Sequence, residues 1–321
     1  MEKRRLGQSD IEITPIGLGC WQFANSGSGI SSFWDELPQE EIDRIVAASI
    51  TGGINWFDTA EAYGKGNSEN SLSIALKTLG IKTGEVIIAT KWQPFFRTAR
   101  SLVNTIDDRL EALNGFPIDL YQIHNPFSLS SIEQQMMNMV QLLRTGKIRA
   151  VGVSNFSANQ MLKADAILKR EGYRLASNQV QYSLLNRKIE ENGVLETARD
   201  LGVTLIAYSP LAQGVLTGKY HQRPEEIQNH PGPRKYLAPF QPRNLQETYP
   251  LVVEMQKIGE AYGASPAQVA LNWLIHAHGN LVVAIPGATR IQQAENNAKA
   301  ADFKLSPREI EKLSQLSASL G

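Results

Sequence analysis

The sequence contains a single cysteine, Cys20, among its 321 residues. One cysteine cannot form an intramolecular disulfide, and there is no cysteine cluster that could bind zinc, so a reducing compartment fits best. The sequence also lacks any run of about 18 apolar residues, and no apolar stretch follows the basic start MEKRRLGQSD. We therefore expect a soluble, cytoplasmic protein.

An excess of either charge is missing too, because Lys and Arg number 32 and Asp and Glu also number 32. This balance gives no electrostatic reason to expect binding to nucleic acid or to an anionic membrane. Hydrophobic residues make up 42% of the chain and charged residues 20%, which is typical of a globular protein with a large core. Any binding site for an anion must therefore be local.

Short apolar segments alternate with segments of helical periodicity along the whole chain. The predicted strands are residues 16–18, 55–58, 86–90, 120–124, 150–154, 178–182, 204–208 and 282–285. The predicted helices are residues 40–49, 68–79, 102–113, 132–143, 160–170, 194–201, 251–262 and 291–300. Eight strands alternating with eight helices predict an α/β fold, a (β/α)8 TIM barrel, as one domain over residues 1–321.

The segments outside this alternation suggest further features. Residues 3–6 and 11–14 flank the turn-forming sequence GQSD, which predicts a hairpin at the barrel floor. An open doubly wound sheet is the alternative fold, but GLGCWQ at residues 17–22 lacks the last glycine of the dinucleotide-binding fingerprint. Residues 24–38 and 221–245 contain no convincing element, and loops of that length are usually functional lids or disordered.

Polar side chains follow successive apolar strands at the ends where those strands stop. Asp58 ends the second predicted strand, Tyr63 follows it, Lys91 follows the third strand, and His124 ends the fourth. Each of them has an ordinary structural explanation when taken singly, such as a helix cap for Asp58. Because the carboxyl ends of barrel strands meet at one rim, we expect the four side chains to converge as a catalytic tetrad.

These four residue types suit proton donation to a carbonyl oxygen while a hydride reaches the carbonyl carbon. A tyrosine has a pKa of about 10, so Tyr63 acts better as an acid if Lys91 stabilises its phenolate. Asp58 would keep Lys91 in place and protonated, and His124 would orient the carbonyl through a hydrogen bond. Since no side chain transfers hydride, the scheme requires a cofactor.

Two segments near the carboxyl ends of the last strands could bind the phosphates of a cofactor. SPLAQG at residues 209–214 has small residues that let backbone amides approach a pyrophosphate, with Lys219 nearby as a partner charge. GATR at residues 287–290 opens a predicted helix, and its Arg290 suits a 2′-phosphate. Each segment could equally be an ordinary turn and helix cap.

Several of these segments together resemble the aldo-keto reductases over nearly the whole chain. FDTAEAYG at residues 57–64, followed by Ser68 and Glu69, resembles the motif of the catalytic aspartate and tyrosine. IATK at residues 88–91 resembles the lysine strand, and DLYQIH at residues 119–124 the histidine strand. GKIRAVGVSNF at residues 146–156 is similar to another characteristic family segment. The resemblance implies an NADPH-dependent oxidoreductase, of the alcohol dehydrogenase or carbonyl reductase class, that reduces aldehydes or ketones to alcohols.

The resemblance also implies which residues bind the cofactor. Ser154, Asn155 and Gln179 would bind the nicotinamide carboxamide, and Tyr208 would stack on the nicotinamide ring. The remaining expected contacts are Gly19, Cys20, Trp21, Asp58, Ser209, Pro210, Leu211, Gln213, Gly214, Leu216, Lys219, Pro286, Gly287, Ala288, Thr289, Arg290, Gln293, Asn296 and Asn297. Gly287 stands where many animal members have a lysine, so the expected NADPH preference rests mainly on Arg290 and use of NADH stays open.

The glycine at residue 287, with Gln293 and Asn297, resembles the microbial and plant branch that includes potassium-channel β subunits and pyridoxal reductases. His124 argues against the steroid reductase branch, which has a glutamate there. The expected substrate contacts are Trp21, Tyr63, Trp92, Phe95, His124 and Asn125. Two other functions remain open, a cofactor-sensing binding subunit with slow turnover and a metal-dependent barrel hydrolase, although no metal-binding cluster is evident at the strand ends.

Overall fold

The computed structural model describes residues 1–25, 35–230, 235–318 and 320. Its strands are β1 (Arg4–Arg5), β2 (Glu12–Ile13), β3 (Leu18–Gly19), β4 (Trp56–Asp58), β5 (Ile87–Trp92), β6 (Ile118–Ile123), β7 (Ile148–Ser154), β8 (Leu175–Gln181), β9 (Thr204–Tyr208) and β10 (Val282–Ala284). Strands β3 to β10 are parallel neighbours in chain order. The backbone amides of Gly17 and Gly19 donate to the carbonyl oxygens of Ala284 and Pro286, which joins the first strand to the last. The predicted TIM barrel is confirmed.

The hairpin of β1 and β2 packs against the inside of the barrel. Its Leu6, Ile11 and Ile13 belong to one buried cluster with lumen side chains such as Trp56. The backbone amide of Gly7 donates to Thr204 Oγ1 at 2.7 Å. The predicted hairpin is therefore confirmed, and it closes the end of the barrel at which the strands begin.

Helices surround the sheet. Those of the described residues are α1 (Gln39–Thr51), α2 (Asn67–Thr78), α3 (Arg100–Asn104), α4 (Ile106–Ala112), α5 (Ile132–Arg144), α6 (Ala158–Arg170), α7 (Val194–Leu201), α8 (Lys219–Gln222), α9 (Pro242–Tyr262), α10 (Pro266–His276), α11 (Ile291–Lys299) and α12 (Pro307–Ala318). Their apolar faces and the outer face of the sheet form the larger core. In the part of the chain that the structure describes, no helix has the length and apolar character needed to cross a bilayer.

The two-residue period of a strand decides which side chains face the lumen. In β5, Ala89 belongs to the lumen cluster, whereas Ile88 and Trp92 belong to the core between sheet and helices. Lys91, two residues after Ala89, therefore faces the lumen. In β6, Leu120 belongs to the lumen cluster, so Gln122 faces the lumen as well.

The helices differ from the predicted ones in several places. The predicted helix 102–113 is two helices, α3 and α4, separated at Thr105, whose hydroxyl donates to the Ser101 carbonyl. In place of the predicted helix 251–262, the structure has the longer α9, which starts at residue 242. This helix continues through Pro250 although a proline has no backbone N–H to donate. Helices α8, α10 and α12 were not among those predicted.

The segment 221–245, which has no predicted element, is only partly irregular, whereas residues 24–25 and 35–38 of the other long segment contain no helix or strand. Short 3-10 helices form at Pro224–Asn229 and Ala238–Phe240, and α8 and α9 overlap the ends of the segment 221–245. Ile227, Phe240 and Leu245 of that segment form a small apolar cluster with Val215 and Tyr220, which precede it. The parts at residues 26–34 and 231–234 lie outside the described residues.

Candidate active site

Asp58, Tyr63 and Lys91 meet at the carboxyl ends of β4 and β5. Lys91 Nζ donates to Asp58 Oδ1 at 2.5 Å, to the Thr59 carbonyl oxygen at 2.8 Å and to Tyr63 Oη at 3.3 Å. The side chains of Lys91 and Asp58 are 0% and 1% exposed, so this is a buried ion pair. One ammonium group therefore connects a carboxylate to a phenol, as predicted for the first three members of the tetrad.

His124 completes the cluster at the end of β6. Its ring meets the Tyr63 ring edge to face, with centroids 5.6 Å apart and an interplanar angle of 82°. Its buried Nδ1 has no hydrogen-bond partner among the described residues. Burial, with the nearby charge of Lys91, lowers the pKa of His124 to about 3, so the imidazole is neutral near pH 7.

The same surroundings keep Tyr63 protonated and Lys91 charged. Burial raises the pKa of Tyr63, and the charge and hydrogen bond of Lys91 offset that rise only in part. Burial also acts to lower the pKa of Lys91, but its interactions with the Asp58 carboxylate and with Tyr63 outweigh the effect of burial, so the Lys91 pKa is raised. The arrangement thus pairs a neutral phenol with a permanent cation, as a proton donor to a carbonyl requires.

The second oxygen of Asp58 is bound by two glutamine amides. Gln179 Nε2 donates to Asp58 Oδ2 at 2.8 Å, and Gln122 Nε2 donates to the same atom at 3.0 Å. Gln179 was an expected site residue, whereas the sequence analysis missed Gln122. The signal was present, because Gln122 lies two residues before His124 on a strand with one face in the lumen.

The other residues expected at the nicotinamide end lie together beside this cluster. Ser154 Oγ donates to the Gln179 carbonyl oxygen at 2.9 Å, and Asn155 Nδ2 donates to Ser154 Oγ at 3.1 Å. Tyr208 Oη donates to Asn155 Oδ1 at 3.0 Å. Asn155 has a φ of 58°, an uncommon backbone conformation for a side chain other than glycine.

The segment after β9 has an unusual concentration of left-handed backbone. Ser209, Ala212 and Gln213 have φ values of 50°, 47° and 58°, and Gly214 has 99°. Strained backbone of this kind occurs mainly at ligand and active sites. Pro210 and Leu216 are buried, and Lys219 forms an ion pair with Glu226. The expected phosphate partner therefore already has a carboxylate partner in this structure.

The segment after β10 lies next to the first barrel strand. Gly19 and Gly287 form a parallel bridge, and a Cβ on Gly287 would lie 2.3 Å from the amide of Gln22. The Oε1 atom of Gln22 is buried and has no hydrogen-bond partner among the described residues. The lack of a side chain at Gly287 thus leaves the room that the Gln22 amide occupies.

The start of α11 follows directly. Gln293 Oε1 accepts from the backbone amide of Thr289 at 2.7 Å, and Asn297 Nδ2 donates to the Gly287 carbonyl oxygen at 3.3 Å. Arg290 is exposed at the amino-terminal end of this helix, where the helix dipole favours an anion. Ala288 is buried, and Asn296 accepts a hydrogen bond from Gln292.

The expected substrate contacts are only partly brought together. Trp21 lies beside Tyr63, with ring centroids 6.2 Å apart, and Asn125 Nδ2 donates to Gln93 Oε1 at 3.0 Å. Phe95 is 56% exposed and packs on the ring of Phe96.

The placement of Trp92 in the pocket wall is wrong. The strand alternation turns its fully buried side chain toward the helices, where Trp92 Nε1 donates to Ser101 Oγ. Cys20 is fully buried as well and packs in the outer core, so its side chain offers no surface to a ligand.

Known proteins resemble this chain in sequence and in fold. The chain is 40% identical over 299 residues to an uncharacterized oxidoreductase of Mycobacterium tuberculosis, covering 92% of this chain and 86% of the relative. It is 32% identical over 314 residues to the chloroplastic pyridoxal reductase of Arabidopsis thaliana, covering 94% and 82%. A solved aldo/keto reductase of Klebsiella pneumoniae, in complex with NADP and acetate, matches with a TM-score of 0.74 and 25% identity over 99% of this chain and 96% of that chain.

The fold and the site together define a closed (β/α)8 barrel with an Asp, Tyr, Lys and His cluster at the carboxyl ends of its strands. The family model described as "Aldo/keto reductase family" matches residues 15–318. The chain therefore belongs to the aldo/keto reductase family and is an oxidoreductase of that family. The predicted resemblance is confirmed, and the pyridoxal reductase is a relative of the kind that the predicted branch includes.

Proposed function

We propose that this protein reduces aldehydes or ketones to alcohols, using NADPH and a proton from Tyr63. The observation that carries the proposal is the contact of one buried ammonium group, Lys91 Nζ, with both Asp58 and Tyr63. A metal ion is not needed for this chemistry, because Lys91 supplies the positive charge beside the proton donor.

In the proposed mechanism, Tyr63 donates its phenolic proton to the carbonyl oxygen of the substrate. The charge of Lys91 then stabilises the phenolate that remains, and Asp58 holds Lys91 within reach. His124 is neutral, so its ring carries one N–H that can donate to the carbonyl oxygen and orient it. When bound, NADPH supplies the hydride that the side chains cannot provide.

The residues present suit a dinucleotide along one side of the barrel mouth. Ser154, Asn155 and Gln179 offer polar groups for a carboxamide, and Tyr208 offers a ring surface. The left-handed segment at residues 209–214 leaves backbone groups for a pyrophosphate, with Lys219 beyond it. The NADP complex of the Klebsiella pneumoniae neighbour supports the choice of NADP(H).

Arg290 supports a preference for the 2′-phosphate of NADPH over NADH. Arg290 is exposed at the start of α11, where the helix dipole also favours an anion. The neighbouring Gln293, Asn296 and Asn297 would contact the adenosine portion. Use of NADH is compatible with the rest of the site, because only the 2′-phosphate depends on Arg290.

The test is the consumption of NADPH, followed by its absorbance, with a panel of aldehydes and ketones. The panel includes pyridoxal, which is the substrate named for the Arabidopsis thaliana relative, and methylglyoxal. We expect turnover with at least one member. Tight NADPH binding with no turnover across the panel would instead favour a cofactor-sensing binding subunit.

A further inference from the structure

Gln122 lies next to the catalytic cluster and has no part in the mechanism above. It is fully buried in β6, between Lys91 of β5 and Gly152 of β7 in the strand register. A Cβ on Gly152 would lie 2.8 Å from Gln122 Cγ and 2.4 Å from Ser177 Oγ. The missing side chain at Gly152 therefore leaves the room that Gln122 occupies.

The amide of Gln122 joins two residues of the site. Its Nε2 donates to Asp58 Oδ2 at 3.0 Å, and its Oε1 accepts from Gln179 Nε2 at 3.3 Å. Gln179 Nε2 also donates to Asp58 Oδ2 at 2.8 Å. Gln122, Gln179 and Asp58 thus form a closed triangle of hydrogen bonds, while Asp58 Oδ1 remains bound to Lys91.

This triangle fixes the orientation of the Gln179 amide. Its nitrogen faces two acceptors, Asp58 Oδ2 and Gln122 Oε1. A flipped amide would place the Gln179 oxygen against both of these oxygens, which is repulsive in a buried site. The side-chain oxygen of Gln179, Oε1, therefore points away from these two acceptors, where it can accept a hydrogen bond from a ligand N–H group.

We infer that Gln122 is a positioning residue with two effects. It orients the side-chain oxygen of Gln179, Oε1, toward the carboxamide of nicotinamide, and it holds Asp58 in its contact with Lys91. The inference rests on the proposed function, in which Gln179 contacts the carboxamide. Gln122 itself touches neither cofactor nor substrate in this scheme. Its effect passes through Gln179 on one side and Asp58 on the other.

The first experiment compares two ligands that share the adenosine end. Gln122→Leu removes both hydrogen bonds, and we expect the Kd of NADPH to rise at least about fivefold, because buried polar partners lose their bonds. The Kd of adenosine 2′,5′-bisphosphate, which lacks nicotinamide, should stay unchanged. Gln135→Leu is the matched control, since Gln135 is also buried but lies on α5, where its Nε2 donates to the Ser130 carbonyl.

The second experiment uses Gln122→Glu, which keeps the shape of the side chain and covers the case in which the leucine variant does not fold. At low pH the introduced carboxyl is protonated and can donate to Asp58 Oδ2 while accepting from Gln179. At high pH it is ionised and places a second negative charge beside Asp58. We expect its kcat relative to wild type to fall at least about tenfold between pH 5 and pH 8.

The outcomes separate clearly. Equal changes in the affinities for NADPH and adenosine 2′,5′-bisphosphate, together with a Gln122→Glu profile parallel to that of wild type, would overturn the positioning role and leave Gln122 as core packing. Failure of the proposed function is distinguishable, because the wild-type protein itself would then not consume NADPH with any carbonyl compound. If wild type binds NADPH without turnover, the comparison of the two Kd values still tests the inference, and if wild type does not bind NADPH at all, the inference is overturned as well.

Discussion

Lys91 Nζ and Asp58 Oδ1 lie 2.5 Å apart, and neither side chain reaches solvent. Removing one partner of such a pair leaves an uncompensated buried charge, which costs about 3–5 kcal/mol. We expect Asp58→Asn and Lys91→Met each to lower the free energy of unfolding by about this amount and to abolish carbonyl reduction. Urea unfolding and an NADPH consumption assay measure the two effects.

The double variant Asp58→Asn with Lys91→Met separates stability from catalysis. It removes both charges at once, so the free energy of unfolding should return to within about 1.5 kcal/mol of wild type. Reduction should stay absent, because no cation remains beside Tyr63. A double variant as unstable as the sum of the single variants would show that the ion pair is not the main interaction between these residues.

Tyr63→Phe tests the proton donor. The variant keeps the ring that packs against His124 and Trp21 but removes the phenolic proton. We expect kcat to fall by about 10² to 10⁴ while the quenching of protein fluorescence by NADPH persists. Tyr121→Phe is the matched control, because its hydroxyl is buried with no hydrogen-bond partner among the described residues. Reduction at a wild-type rate by the Tyr63 variant would remove Tyr63 from the mechanism.

His124 gives a prediction about pH and stability. The folded protein holds it neutral down to pH about 3, whereas an unfolded chain protonates it below about 6.5. The unfolded state therefore binds more protons in this window, and the free energy of unfolding falls as the pH is lowered. From pH 7 to pH 5 this one residue should contribute a loss of about 2 kcal/mol.

The measurement is urea unfolding at pH 7 and pH 5 for wild type and for His124→Gln. The variant has no group to protonate at residue 124, so its stability should fall less than that of wild type over the same interval. Because both proteins contain the other titratable groups, the difference between the two slopes isolates His124. Identical slopes would mean that His124 titrates similarly in the folded and unfolded states.

Arg290→Ala tests the choice of cofactor. The Kd of NADPH should rise about tenfold or more, because the variant loses a charged hydrogen bond to the 2′-phosphate, whereas the Kd of NADH should change less than about twofold. Arg243→Ala is a suitable control, since Arg243 is also exposed but pairs with Glu247 on α9. Equal weakening of both cofactors would argue against a 2′-phosphate contact at Arg290.

The sequence was sufficient to predict the barrel and to bring together the four residues of the tetrad. Parallel strands that alternate with helices end at one rim, so a polar residue at each strand end suffices to place Asp58, Lys91 and His124 near each other. Tyr63 is placed beside them because only four residues separate it from the end of β4. These predictions depend on chain order alone.

The contacts around that cluster depend on which way each side chain points, and the sequence analysis did not resolve this. Trp92 and Gln122 both lie in strands beside tetrad residues, yet one faces the helices and the other faces Asp58. A shift of one residue in strand register exchanges the two faces. The sequence also indicates helix α10 through the capping box of Ser265 and Gln268. The prediction assigned one helix to each strand and therefore omitted it.

The hydrogen bonds from Gly17 and Gly19 to the segment around β10 also have a consequence for how the protein is made. In each hydrogen bond more than 260 residues separate the donor from the acceptor along the chain. The ring of strands can therefore close only after the ribosome has synthesised the chain through β10. Until then β3 has an unpaired edge that can recruit other strands. The part of the barrel mouth between Gly19 and Gly287 forms only when the ring closes. Binding of the cofactor there would therefore show that β10 had already been synthesised.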